Sequence, residues 1–152
     1  MKNLLKNKQL EIVNGGWVAN DEANPDFDDI LNNMMLGHEF LAKEFGVTPT
    51  IGWDLDTFGH SDTNTRIYAE LGYDAMFFSR LDYQEKKSRQ DSRSMIALWR
   101  PGASHFGNQH QILTNVFKFD YCYPTEFLTG ENLDTDDVIV TDRTLHTFNA
   151  DY

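Results

Sequence analysis

The stretch Trp53-Asp54-Leu55-Asp56-Thr57-Phe58-Gly59-His60-Ser61 holds the densest chemistry in the chain. Asp56 ends a run of strand character, and an aromatic residue, a glycine, a histidine and helix-starting polar residues follow it. A carboxylate so placed can ligate a metal, attack a sugar or merely cap the next helix. The residue types and their spacing leave all three open. Gly15-Gly16-Trp17, Arg80 and the stretch 115–121 also fall just after runs of strand character. In α/β sheets ligands sit at the carboxyl ends of strands, so these groups are expected to share one edge with Asp56.

The elements that must position them alternate between short β-rich runs and helical runs. Leu10 to Val13 reads as a strand stopped by Asn14-Gly15-Gly16. A helix is predicted from Asn24 as N-cap, with Pro25 first and Asp26, Asp28 and Asp29 at the positive end of the dipole. Phe27, Ile30, Leu31, Met34, Leu41 and Phe45 form its apolar side, with His38 beside them and Gly46 as terminator. Thr50 to Leu55 is a predicted strand, and Asp62 caps a helix carrying Ile67, Ala69 and Leu71 that Gly72 closes. Tyr73 to Phe78 is a second strand, apolar enough to be buried on both faces. Strand, helix and strand with short links predict parallel pairing, which would bring Asp56 and Arg80 to neighbouring strand ends about 4.8 Å apart. Lys86 to Arg93 reads as solvated helix or loop, and Ser94–Trp99 and Gln111–Phe117 as further strands around the loop 100–110. The fold class is α/β, with parallel strands and helices between them.

Composition narrows the function. The 152 residues suit one domain, and 40% hydrophobic content with 11 Phe and 6 Tyr supplies a core. Thirteen basic against 24 acidic residues give a net charge of −11, which opposes nucleic acid or anionic membrane as a partner. Cys122 is the only cysteine, so no internal disulfide forms, and it reads as packing. The start Met1-Lys2-Asn3-Leu4-Leu5-Lys6 is too polar for a signal peptide, and no apolar run approaches the ~20 residues of a membrane span. The tail from Thr125 is acidic and weakly patterned, and Asp134, Asp136 and Asp137 read as a solvated loop without calcium-loop spacing.

Three motifs in order resemble glycoside hydrolase family 38, the class II α-mannosidases. Trp53 to Ser61 is similar to that family's Trp-x-x-Asp-Pro-Phe-Gly-His-Ser. Gly15-Gly16-Trp17-Val18-Ala19-Asn20-Asp21-Glu22-Ala23 resembles its Gly-Gly-Trp-Val-Met-Asn-Asp-Glu-Ala, and Phe77-Phe78-Ser79-Arg80-Leu81-Asp82-Tyr83 the Phe-Phe-x-Arg-Leu-Asp-Tyr-Gln of the lysosomal branch. The likeness runs from about Leu10 to Pro124. It implies an incomplete β/α barrel-like catalytic domain, in which residues 1–152 are part of the N-terminal domain and lack its first strand and C-terminal part. It implies a retaining α-mannosidase acting on terminal mannose of oligosaccharide or glycoprotein glycans, in the lysosome or secretory pathway. By position, Asp56 matches the nucleophile and a Zn2+ ligand, Phe58 an aromatic of the mannose subsite, Arg80 an arginine beside the nucleophile, and Tyr121 a tyrosine that hydrogen-bonds sugar.

Plainer roles stand beside these. His60 is read as a hydrogen-bonding neighbour rather than a zinc ligand, Trp17 as packing on the sheet edge, and Asp21 and Glu22 as capping the helix region that follows them as much as touching substrate. Thr57 stands where the family has proline and Ala19 where it has methionine; losing the proline is worth ~0.4–1 kcal/mol of loop stability. The family's His-x-Asp zinc motif has no counterpart here, and its further histidine ligand and acid/base carboxylate are expected beyond residue 152. Retention needs two carboxyl groups and a zinc site about three protein ligands. The chain alone is therefore expected to be inactive, with the strand faces of Met76, Phe77 and Phe78 uncovered. The alternative from another class is a non-catalytic remnant that binds carbohydrate or a partner. A polysaccharide deacetylase would want two histidines at i, i+4, a spacing that His38, His60, His105, His110 and His146 never show.

Overall fold

The computed structural model describes residues 1–118 and residue 121. The chain divides into two compact units, Met1–Asp120 and Tyr121–Tyr152. In the second only Tyr121, an exposed turn residue, is described. Cys122, Asp134, Asp136, Asp137, His146 and the acidic tail lie outside the described residues.

Within the first unit the elements run α1 (Lys2–Lys6), α2 (Phe27–Phe45), β1 (Ile51–Asp54), α3 (Asp62–Glu70), β2 (Ala75–Phe78), α4 (Tyr83–Asp91), β3 (Ile96–Trp99), α5 (Ala103–Phe106) and β4 (Ile112–Val116). The sheet order is β1-β2-β4-β3. β1 pairs with β2 and β2 with β4 in parallel, as an α/β fold requires, with Asp54 opposite Phe78 and Phe78 opposite Val116. The all-parallel expectation is corrected at the edge, where β3 runs antiparallel to β4. Residues 100–111 hold only the four-residue α5, so β4 returns beside β3 without a full helical crossover. Among the described residues the sheet is open.

Two boundaries shift for local reasons. Leu10 to Val13 forms no strand: Asn14 gives one backbone bond to the Ile51 carbonyl at 2.7 Å, then Asn14 and Gly15 take positive φ and turn the chain away. α2 begins after Asp26 rather than at Asn24, because Asn24 spends its backbone and side-chain donors on Asp21. Gly46 ends the helix in the left-handed conformation as expected. Ser61, not Asp62, caps α3, its hydroxyl accepting from the Asn64 N–H at 3.1 Å. Asp62 instead accepts from the Trp99 indole at 2.8 Å and the Gly102 N–H at 3.2 Å, tying α3 to the end of β3.

The core lies on one face of the sheet, where Met34 of α2 and Tyr68 of α3 meet Met76, Phe78, Ile112 and Val116. Burying side chains of this size stabilises by ~1.5–3 kcal/mol each. Gly52 makes room for it, since a Cβ there would stand 2.8 Å from the Tyr68 ring. The expectation that Met76 and Phe78 would be uncovered is corrected: both are buried, because alternate residues of β2 point toward the helices. The lysine-rich stretch after Asp82 is the exposed helix α4, laced by Glu85–Arg89 and Lys87–Asp91 pairs at i, i+4.

Candidate active site

β1 and β2 end level with one another, and each is followed by a charged residue two positions on. Asp56 and Arg80 therefore emerge side by side. Asp56 Oδ1 accepts from Arg80 Nε at 2.8 Å and Nη2 at 2.6 Å. The guanidinium carbon lies 4.3 Å from the centre of the Phe58 ring, so the arginine is held between a carboxylate and an aromatic face. Phe58 itself is 69% exposed. Arg80 cannot drift far, because two residues later Asp82 caps α4, accepting from the Gln84 and Glu85 N–H groups at 3.0 and 3.1 Å. Three of the four residues singled out from the sequence thus meet. Tyr121 belongs to the other unit.

Beside this cluster a cavity of about 620 Å³ opens between the β1–α3 loop, α4 and β3, lined among others by Phe58, His60, Phe78, Arg80, Trp99 and Arg100. Its apolar walls with convergent polar groups have the character of a small-molecule site.

Below the exposed pair lies a buried polar network. Asn64 is fully buried, its amide oxygen accepting from Asn20 at 2.6 Å and its amide nitrogen facing Glu22 at 3.2 Å and Asp54 at 3.4 Å. Asp54, only 3% exposed, also accepts from the Tyr68 hydroxyl at 3.0 Å. Burial pushes its carboxyl up to about 7; the Tyr68 bond opposes that rise and the nearby Glu22 charge adds to it. Glu22 accepts from the Ser61 N–H, so it completes the start of α3 from a distant loop. The helix it serves is not the one that follows it in sequence, α2, whose N-cap is Asp26. His60 bonds the Arg80 carbonyl through Nε2 at 2.9 Å. Burial opposes its charged form, but Glu22 and that carbonyl outweigh it, and its pKa stands above the ordinary histidine value.

Trp17 does not pack on the sheet edge as expected. It lies exposed against Phe40 of α2 with ring centres 5.6 Å apart, because the Gly15–Trp17 turn is held by Asn33 instead of by a strand. The expected grouping of that turn with Asp56 fails for the same reason. Asp54, Asn64 and Asn20 were not singled out in the sequence; the one available signal was an acid inside the apolar run of β1.

The model of the glycosyl hydrolases family 38 N-terminal domain matches residues 1–149. The chain belongs to that family. It is 41% identical over 151 residues to a lysosomal alpha-mannosidase of Dictyostelium discoideum, covering 99% of this chain and 14% of that protein. It is 42% identical over 125 residues to an alpha-mannosidase of Canavalia ensiformis, covering 82% of this chain and 13% of that protein. A lysosomal alpha-mannosidase of Felis catus is 37% identical over 153 residues, with 99% of this chain and 15% of that protein covered. This family 38 chain thus spans about a seventh of the length of the relatives it matches. Asp56, Phe58 and Arg80 all lie inside the matched domain.

Proposed function

We propose that the whole protein is a retaining α-mannosidase that removes terminal α-D-mannose from glycans, with Asp56 as the nucleophile and Phe58, Arg80 and Tyr121 on the sugar. The observation that carries this is the meeting of Asp56, Arg80 and Phe58 at adjacent parallel strand ends, in a chain of family 38. In such a reaction the carboxylate attacks the anomeric carbon as the glycosidic bond breaks, a second carboxylic acid protonates the departing oxygen, and water then frees the sugar. The Arg80 guanidinium supplies positive charge to the attacking carboxylate and fixes its direction. The exposed Phe58 ring offers an apolar face of the kind sugar C–H groups stack on.

Zinc is part of the expectation, with Asp56 as one ligand. Such a site wants about three protein ligands, and the described residues hold no group of three or more His, Cys, Asp or Glu able to take a metal. These residues do not by themselves fit the ion, so no step is routed through it. We take residues 1–152 as part of a barrel-like catalytic domain, with the other ligands and the acid/base carboxyl on further chain. A lysosomal setting fits the names of the Dictyostelium and cat relatives.

The test is turnover of a chromogenic α-mannoside by the whole protein, by the 152-residue chain and by Asp56→Asn. The whole protein should turn over, the chain alone should not, and Asp56→Asn should lose several powers of ten, the scale of losing a covalent nucleophile. Near-normal turnover by Asp56→Asn with a lowered melting temperature would return Asp56 to a structural role.

A further inference from the structure

We propose that His60 is a positioning residue for the Asp56–Arg80 pair, holding the Arg80 carbonyl through Nε2–H with its ring packed between Glu22 and Phe78. This goes beyond the roles assigned above and takes its importance from the reading of Asp56 and Arg80 as the site.

The Nε2 proton follows from the partner. A carbonyl oxygen only accepts, so the 2.9 Å contact with Arg80 requires the hydrogen on Nε2. The other nitrogen faces Glu22 Oε1 at 3.7 Å, with the two side chains 7% and 2% exposed. Glu22 cannot follow a rotating ring, because its oxygens also accept from the Ser61 N–H and from Asn64. On its flank the imidazole lies 4.3 Å from the centre of the Phe78 ring. His60 thus lies between Glu22 on one side and the Phe78 ring on its flank, with Nε2 directed at the peptide of Arg80.

That peptide governs the site. Arg80 lies between the end of β2 and the cap of α4. The preceding Ser79 carbonyl is held by Lys86 Nζ at 3.1 Å and the Arg80 carbonyl by His60, so the backbone is gripped on both sides. From that backbone the side chain brings two guanidinium donors onto Asp56 Oδ1. Losing the His60 donor removes this hold on the peptide plane, and the guanidinium is aimed less tightly.

The competing view is that His60 merely fills space on Phe78. Glutamine and asparagine separate the two, because a Gln amide nitrogen reaches the Nε2 position and an Asn amide only the Nδ1 position. The experiment follows the Arg80 Nε–H resonance by NMR in the isotope-labelled 152-residue chain, identified by its loss in Arg80→Lys, and measures its exchange with water. His60→Gln should keep that rate within about twofold of the native chain. His60→Asn and His60→Leu should speed it about tenfold, the factor that one ordinary hydrogen bond governs. Equal rates in all three variants, fast or slow, would overturn the proposal. If the Leu variant does not fold, the Gln and Asn pair still decides. No mannosidase activity enters the readout, so an inactive whole protein would defeat the functional reading and leave this result standing on its own.

Discussion

Two acids two residues apart take opposite environments. Asp56 leaves the strand, faces solvent and pairs with Arg80, whereas Asp54 ends β1 pointing into the core beneath α3. Desolvation holds the Asp54 carboxyl near 7, against an ordinary value of 3.8. Between those pH values the folded chain keeps a proton that the unfolded chain has released, so stability falls as pH rises through the window. His60 acts in the same sense at higher pH: its contribution is whole below about 6.5 and is lost as pH climbs through its raised folded value. The chain should therefore be more stable at pH 5 than at pH 7.5, by on the order of 2 kcal/mol. Asp54→Asn keeps an acceptor for Tyr68 and should flatten the dependence between pH 4 and 7, leaving the His60 portion above it. Urea unfolding across pH checks this, and a flat native profile would refute it. That Asp56, Phe58 and Arg80 would meet was legible because all three lie in local motifs at the ends of neighbouring strands. Glu22, Asn64 and Asp54 act by meeting one another across 10 to 42 positions of chain, which no local spacing encodes.

At the scale of elements, the Gly15–Trp17 turn and α2 are joined by contact too close for side chains. A Cβ on Gly37 would stand 2.0 Å from the Gly15 carbonyl oxygen and 2.6 Å from the Trp17 nitrogen. Alanine is worth ~1 kcal/mol more than glycine inside a helix, but backbone atoms cannot yield as a side chain can, and overpacking costs ~1–3 kcal/mol or more. Gly37→Ala should therefore destabilise by ~1–2 kcal/mol net in chemical unfolding. Gly59→Ala, whose Cβ meets nothing within 4 Å, should stay within ~0.5 kcal/mol. Equal stability of the two variants would contradict the packing described. The same contact explains what sequence patterning missed in α2. Periodicity identified Ile30 and Met34 as buried, yet Phe27 and Leu31 are exposed and Gly37 occupies the tightest position. Apolar spacing reports which side of a helix can be buried, while a glycine in a helix becomes informative only once the strand or turn packed on it is known. The antiparallel β3 escaped for a related reason: strand character in Ser94–Trp99 carries no direction, and the connection of 12 residues to β4 was long enough for either sense.

At the scale of the molecule, one face of the sheet carries the core and the other does not. Trp53, Phe77 and Phe117 cluster there with ring centres 5.6 to 5.9 Å apart, and Leu98, Leu113 and Ile96 stand exposed on the same side. The register makes this one continuous patch, with Trp53 opposite Phe77, Phe77 opposite Asn115 and Ile96 opposite Asn115, and Leu113 opposite Leu98 one pleat away. Parallel sheets are ordinarily covered on both faces, and an apolar patch of this kind is a site for another surface. The net charge of −11 works the other way, keeping chains apart by repulsion while leaving the patch open to a small apolar probe. The 152-residue chain should therefore bind an anilinonaphthalene dye with a clear fluorescence gain while keeping a cooperative melt. Ile96→Thr with Leu113→Thr should cut that gain by half or more and shift the melting temperature little, because both side chains already face water. The whole protein should show far less dye binding than the chain, because a sheet of parallel strands is ordinarily covered on both faces. Dye binding that survives the double substitution unchanged would locate the open surface elsewhere, and equal binding by chain and whole protein would show that this face of the sheet stays bare in both.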